Sequence, residues 1–150
     1  MLIRRAGARE AEVLTALVLR SKAHWGYDEA FMKAAVPELT ILATHLTGSA
    51  AFVAQDDTHL LGFYILGVEA GVPTLRDLWV EPAFIGSGVG GALWRHMLGE
   101  ARRLAYESVR IESDPNAAPF YRKMGARETG SVRSTIIEGR VLPVFEIALP

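Results

Sequence analysis

FIGSGVGGALW (residues 84–94) carries four glycines in eleven residues and runs straight into a helical pattern. Upstream lies TLRDLWV (74–80), which reads as a strand closed by Glu81-Pro82. Downstream, Val89, Leu93, Met97, Ala101 and Leu104 recur at the spacing of one helix face, predicting a helix to about Tyr106. Gly86, Gly88, Gly90 and Gly91 thus join a strand to a helix. Such a turn aims successive unpaired backbone N–H groups at one place, next to the positive end of the helix dipole. Anions bind there, phosphates above all, and glycine lets a phosphate reach the backbone. A merely flexible turn would need one glycine.

Working outward, LIRRA (2–6) reads as a first strand, followed by a helix from about Arg9 to Lys22. Val13, Leu14, Leu17, Val18 and Ser21 form its stripe. A second helix over DEAFMKAAV (28–36) has Asp28 as N-cap and Pro37 as its end. AAFVAQ (50–55) and LLGFYILGVEA (60–70), joined by the polar DDTH (56–59), predict an antiparallel hairpin. After the glycine helix come a short strand, SVRIES (108–113), a short helix, NAAPFYRKM (116–124), and Gly125 as its C-cap. The tail, SVRSTIIEGRVLPVFEIAL (131–149), predicts a hairpin turning near Glu138-Gly139. No repeat, low-complexity run or linker interrupts this order. The expectation is one mixed α/β (α+β) domain over residues 1–150. Its sheet is largely antiparallel, of about six to seven strands with about four helices and one β-α-β crossover.

Composition narrows the function. The chain of 150 residues is 50% hydrophobic and 22% charged, ordinary for a domain with a real core. A net charge of -1 argues against a nucleic-acid surface. The absence of cysteine removes disulfides, thiolate metal sites and a covalent thiol intermediate. His45, His59 and His96 are scattered without ligand spacing, so no metal site is expected. MLIRRAGAREAE (1–12) has no apolar core of signal-peptide length, and no stretch reaches the ~18 apolar residues of a membrane span. A cytoplasmic protein with no membrane partner is the simplest expectation.

Three phosphate-binding motifs compete for the glycines. A P-loop needs Gly-Lys-Ser/Thr, but Gly91 is followed by Ala92-Leu93. The dinucleotide fingerprint G-x-G-x-x-G is present as Gly86, Gly88 and Gly91, with Glu112 at the distance of a ribose partner. Its context is wrong: it follows an antiparallel hairpin, and the 38 residues after Glu112 are too few for a doubly wound sheet. The third is a pyrophosphate loop. LWVEPAFIGSGVGGALWRHMLGEA (78–101) and SDPNAAPFYRKMGA (113–126) together resemble the two central motifs of the Gcn5-related N-acetyltransferases. In that family a strand leaves through Val-x-Pro into Q/R-x-x-G-x-G/A and a helix, and an Asn, an Ala, Phe-Tyr and a basic residue follow. The element order agrees along the whole chain. Ile85 stands where the family usually carries Arg or Gln, and Ala126 replaces the customary Phe after Gly125.

The resemblance implies direct transfer of acetyl from acetyl-CoA to a primary amine, here of a small-molecule acceptor. It implies that the loop Gly86, Ser87, Gly88, Val89, Gly90 and Gly91 wraps the coenzyme A pyrophosphate. Leu78, Trp79 and Val80 match the strand whose backbone pairs with the pantetheine arm. Asn116 matches a position that bonds that arm or caps the helix. Lys123 and Arg95 could reach the phosphates, although exposed helix cations are ordinarily solvated. Tyr121 matches the tyrosine near the thioester sulfur. A phenol with a pKa near 10 stays protonated at neutral pH, as a general acid must. Asp77, Glu81 and His24 are the candidate bases, since a carboxylate or imidazole beside the acceptor can deprotonate an ammonium through water.

SKAHWGYDEAF (21–31) falls where the family builds one wall of the acceptor site. It offers His24, Trp25, Tyr27 and Phe31, able to hold an amine against ring faces or simply to seal two helices onto the sheet. A homodimer is a family-level expectation, supported by the sheet edge that the final hairpin leaves. Two other readings stay open at this stage: an acyl-CoA sensor that turns nothing over, and an NAD-binding oxidoreductase built on the G-x-G-x-x-G.

Overall fold

A computed structural model describes residues 1–150. The chain runs β1 (Leu2–Arg5), α1 (Ala11–Ala23), α2 (Glu29–Leu39), α3 (Ala43–Thr47), β2 (Ala50–Gln55), β3 (Leu60–Glu69) and β4 (Val72–Val80). It continues through α4 (Val89–Arg103), β5 (Ser108–Glu112), α5 (Ala118–Lys123), β6 (Arg127–Arg133) and β7 (Val141–Ala148). All seven strands share one sheet in the order β1-β2-β3-β4-β5-β7-β6. Every neighbouring pair is antiparallel except β4 with β5, which the α4 crossover makes parallel. No helix is long and apolar enough to cross a membrane.

The sheet is covered on both faces, which explains why β3 reads as an almost unbroken apolar run. Tyr64 and Leu66 join Leu93, Trp94, Met97 and Ala101 of α4 on one side. Phe63 and Ile65 join Leu14, Leu17 and Val18 of α1 on the other. Fully burying side chains of this size contributes about 1.5–3 kcal/mol each, so the two helices clamp the centre of the sheet.

Several local expectations are corrected. α2 does not stop at Pro37 but continues to Leu39: proline removes its own donor, yet Thr40 N still reaches Val36 O at 3.0 Å. α4 ends at Arg103: Ala105 takes a left-handed φ of 60°, and Tyr106 N bonds Ala101 O at 3.0 Å. That closure is ordinarily signalled by glycine. Leu104 is consequently 36% exposed rather than on the inner face, and Val13 of α1, at 47%, faces water too. The short α3 was unforeseen, so the helices number five rather than about four; Leu42 N donates to His45 Nδ1 at its start. The final hairpin is longer than read, with β6 starting at Arg127 and turning through residues 134–140.

Candidate active site

The chain leaves β4, makes a 3-10 turn over Pro82–Phe84 and swings into α4 through two left-handed glycines, Gly86 (φ 83°) and Gly88 (φ 94°). A side chain is strained at such angles, so these two positions require glycine. Gly88 is the N-cap of α4, and no side chain caps the helix. The first intrahelical bond is Ala92 N to Gly88 O at 3.1 Å. The N–H groups of Val89, Gly90 and Gly91 therefore have no partner within the helix. Gly90 serves a different purpose, since a Cβ there would stand 3.2 Å from the Phe120 ring. Its bareness lets α5 close against the start of α4.

Beside this loop the sheet comes apart. A bulge at Arg76 puts Ile65 opposite Asp77 and Leu66 opposite Leu75, and bulges bend the strand that carries them. β4 and β5 share a single registered pair, Thr74 with Arg110. Beyond it they diverge around a cavity of about 580 Å³. The strand's alternation gives this cleft two halves. Leu78 and Val80 turn toward the α4 and α5 layer, while Trp79 packs with the α1 layer and bonds Asp77 on its own face, Nε1 to Oδ1, at 2.9 Å.

The residues singled out in the sequence distribute as follows. Asp77, Leu78, Trp79, Val80, Gly86, Gly88, Gly90, Gly91, Asn116, Tyr121 and Lys123 all line the cleft, as do Trp25, Ile85 and Arg95. Neither Arg95 nor Lys123 has an ion-pair partner, and the Arg95 guanidinium would stand 3.2 Å from a Cβ on Gly91. A cation thus lies beside the bare helix start although Ile85 supplies none. Val89 is buried in the core and Ser87 Oγ donates to Phe84 O, so their side chains do not line the cleft.

Tyr121 is 6% exposed, packed against Trp94, Phe120 and Phe145. Burial pushes its phenol well up, and the charges of Asp77 and Asp114 push it further. It stays protonated at neutral pH. Burial also raises the Asp77 carboxyl, against the Trp79 hydrogen bond and the charges of Arg76 and His45. The Asp77 charge thus reaches the buried Tyr121 phenol across one cleft.

Other candidates lie elsewhere. Glu81 is held by both ends of the Arg20 guanidinium, at 2.8 and 2.7 Å, and does not line the cleft. His24 is exposed at the end of α1, edge-on to Trp25, and also lies outside it. Tyr27 and Phe31 stack at 4.2 Å next door, in a cluster with Lys22, Asp114 and Arg140 that sequence reasoning missed. Asp114 had a legible signal: Asp before Pro opens a helical turn, and its Oδ1 accepts from Asn116 N at 2.7 Å. Burial would raise this carboxyl, but the bonded Lys22 ammonium overrides that and holds it below the usual range. Lys22 and Arg140 had no such signal.

The dinucleotide reading is overturned here. One parallel pair in a seven-stranded sheet is not a doubly wound fold, and Glu112 pairs with Arg110 at 3.2 Å. The fold instead matches solved acetyltransferases. A Gcn5-related N-acetyltransferase from Rhodopseudomonas palustris superposes with a TM-score of 0.81 at 20% identity, covering 99% of this chain and 95% of its own. The PaiA N-acetyltransferase of Thermoplasma acidophilum, in complex with coenzyme A, gives 0.81 at 17% identity over 98% of both chains. YncA of Salmonella typhimurium, with its cofactor acetyl-CoA, gives 0.72 at 20% identity over 100% and 94%. No curated protein matches the sequence. The acetyltransferase (GNAT) domain family matches residues 47–125, from the end of α3 to the glycine after α5. With that match over more than half of its length, the chain belongs to the Gcn5-related N-acetyltransferases.

Proposed function

We propose that this chain acetylates the primary amine of a small molecule, with acetyl-CoA as donor, and that the whole of it forms one catalytic domain. The observation that carries the reading is the junction of two features in one cleft: the uncapped start of α4 and the Tyr121 hydroxyl. The N–H groups of Val89, Gly90 and Gly91, with no side chain on either glycine, suit a pyrophosphate. Arg95 and Lys123 add positive charge at the same end. The free edge of β4 along Leu78, Trp79 and Val80 offers backbone groups to the pantetheine amides, as an added strand would. Asn116 lines the same passage.

Acetyl-CoA supplies a thioester, whose carbonyl carbon takes the amine while the C–S bond breaks. Tyr121 holds the proton that the departing sulfur takes up. Burial raises the phenol, and the same burial raises a thiol placed beside it, so a thiolate there takes up a proton more readily. Asp77, directly or through water, receives the proton that an ammonium must lose before it can attack. Trp25, in the cleft wall, is the aromatic surface for the acceptor. A homodimer and a cytoplasmic location complete the reading; the unpaired edge of β6 supports the former.

Thermal unfolding with acetyl-CoA, and separately with NADH, tests this directly. Acetyl-CoA at 100 times its Kd should add about 2.7 kcal/mol, roughly 5–10 °C for a chain of this size, and NADH should add nothing. Tyr121→Phe should keep that shift while kcat falls about 100- to 10,000-fold. A harmless Tyr121→Phe in an active enzyme removes Tyr121 as proton donor, and a shift with NADH alone removes the whole reading.

A further inference from the structure

Tyr27, from the turn between α1 and α2, is the hub of a polar cluster that the transfer chemistry leaves unused. Its hydroxyl donates to Asp114 Oδ2 at 2.8 Å and accepts from Asn116 Nδ2 at 3.1 Å and from Arg140 Nη2. One proton and two lone pairs are all a phenol has, so this hydroxyl is saturated. Lys22 Nζ donates to Asp114 Oδ2, and Arg140 Nη2 stands 3.7 Å from the same oxygen. Both cations lie over the stacked rings: Lys22 at 5.0 Å from the Tyr27 centroid and 5.7 Å from Phe31, Arg140 at 4.9 and 5.2 Å.

The charges do not balance. Two cations share one carboxylate, and the side chains of Lys22, Arg140 and Asp114 are only 9%, 18% and 10% exposed. A guanidinium has five N–H groups and an ammonium three; Arg140 uses one of them here and Lys22 one. Ring faces attract a cation more weakly than a carboxylate does, and a buried cation without a counter-charge is costly. Four carboxylates of neighbouring segments are engaged elsewhere, and none besides Asp114 pairs with Lys22 or Arg140. Glu81 binds Arg20, Asp28 caps Phe31 N, Glu38 accepts from Thr135, and Asp77 accepts from Trp79.

The cluster also borders the reacting end of the cleft. Asp114 and Asn116 belong to both. Ser21 and Trp25, on either side of Lys22 in the chain, line the cleft, and Ser21 is 5% exposed.

We propose that the acceptor carries a carboxylate besides its amine, and that Arg140, seconded by Lys22, binds it. The acceptor class is then the amino acids and related amino carboxylates. Polyamines, which bring further positive charge to these two cations, are poor substrates. This inference rests on the acetyl-transfer reading above.

The test is a thiol-release assay at one pH, with acetyl-CoA saturating. Phenylalanine, leucine and glutamate are compared with their carboxamides and their decarboxylated amines. Beside a carboxylate the amine is more basic than beside a carboxamide and less of it is neutral, so a preference for the acid over its carboxamide cannot come from amine reactivity. The wild-type chain should favour the acids by about 10- to 100-fold in kcat/KM. Arg140→Gln should erase that preference through KM while the acetyl-CoA shift in Tm persists, and Arg140→Lys should restore part of it. Equal or better turnover of carboxamides or amines overturns the proposal. So does an Arg140→Gln variant that loses all acceptors equally, or a chain that binds acetyl-CoA and acetylates none of the panel. A chain whose Tm ignores acetyl-CoA overturns the transfer reading itself, and this proposal with it.

Discussion

The glycine loop at one end of the cleft and the Tyr27 cluster that borders the other are built by opposite means. The glycine end is made of backbone, from residues adjacent in the chain, and its chemistry lies in N–H groups every residue but proline possesses. The Tyr27 end is made of side chains from four separate segments. Its bonds join residues 87, 89, 92 and 113 positions apart. At the first, what counts is that the backbone can turn and stays bare. At the second, the backbone is incidental and each functional group has a defined partner. A single substitution should therefore act through conformation at one end and through charge at the other.

The largest effect is expected at the side-chain end. Asp114→Asn leaves Lys22 buried without its counter-charge, which should cost about 3 kcal/mol, or roughly 6–12 °C in Tm at pH 7. The Asp114 carboxyl is held below its unfolded value, so its contribution is present above the ordinary carboxylate range and is lost as pH falls through its own. The deficit of the variant should therefore shrink in acid. A variant as stable as wild type at pH 7 would show that the pair does not hold the cluster together.

A smaller effect separates conformation from composition at the backbone end. Gly88→Ala meets open space but a φ of 94°, and should cost about 1–2 kcal/mol and weaken acetyl-CoA about tenfold. Gly99, in the interior of the same helix, also has open space, but without a left-handed φ. Gly99→Ala should stabilise by about 0.5–1 kcal/mol. If both substitutions shift Tm the same way, the left-handed turn is not what the glycine loop is selected for.

Asp77→Asn should give the smallest change, of opposite sign to Asp114→Asn. Burial raises the Asp77 carboxyl above its unfolded value, so the folded chain loses stability as pH rises through that window. The variant should gain roughly 1–2 °C at pH 8 and nothing at pH 3, in calorimetry. A loss at pH 8 would mean that the charged carboxylate is stabilised rather than penalised.

The same contrast explains what could be read in advance. β2 is visible as AAFVAQ and β3 as its partner because each is a compact apolar run between polar turns. The glycine loop is visible because its requirement is local: φ at Gly86 and Gly88 must be positive, and glycine is the residue that manages it. The end of α4 was misplaced because Ala105 performs a turn usually marked by glycine, and that of α2 because the helix runs two residues past Pro37. The parting of β4 and β5 leaves no mark on LWV, since a strand paired on one edge and a strand paired on two have the same alternation. Tyr27 and Phe31 stood out as aromatics, but Lys22 is one of two basic residues in α1, beside Arg20, and Arg140 follows a turn. Their meeting with Asp114 depends on tertiary structure alone.

The single registered pair between β4 and β5 has a further effect on how this sheet behaves in water. A continuous sheet admits solvent first at its outer strands, where amide protons lack partners. Here β1 to β4 form one block and β5, β7 and β6 another, and the seam between them runs through the middle. The amides along that seam are open to hydrogen exchange at the heart of the molecule, while those of β3, paired on both sides, are shielded. A ligand laid into the seam would convert two blocks into one cooperative unit.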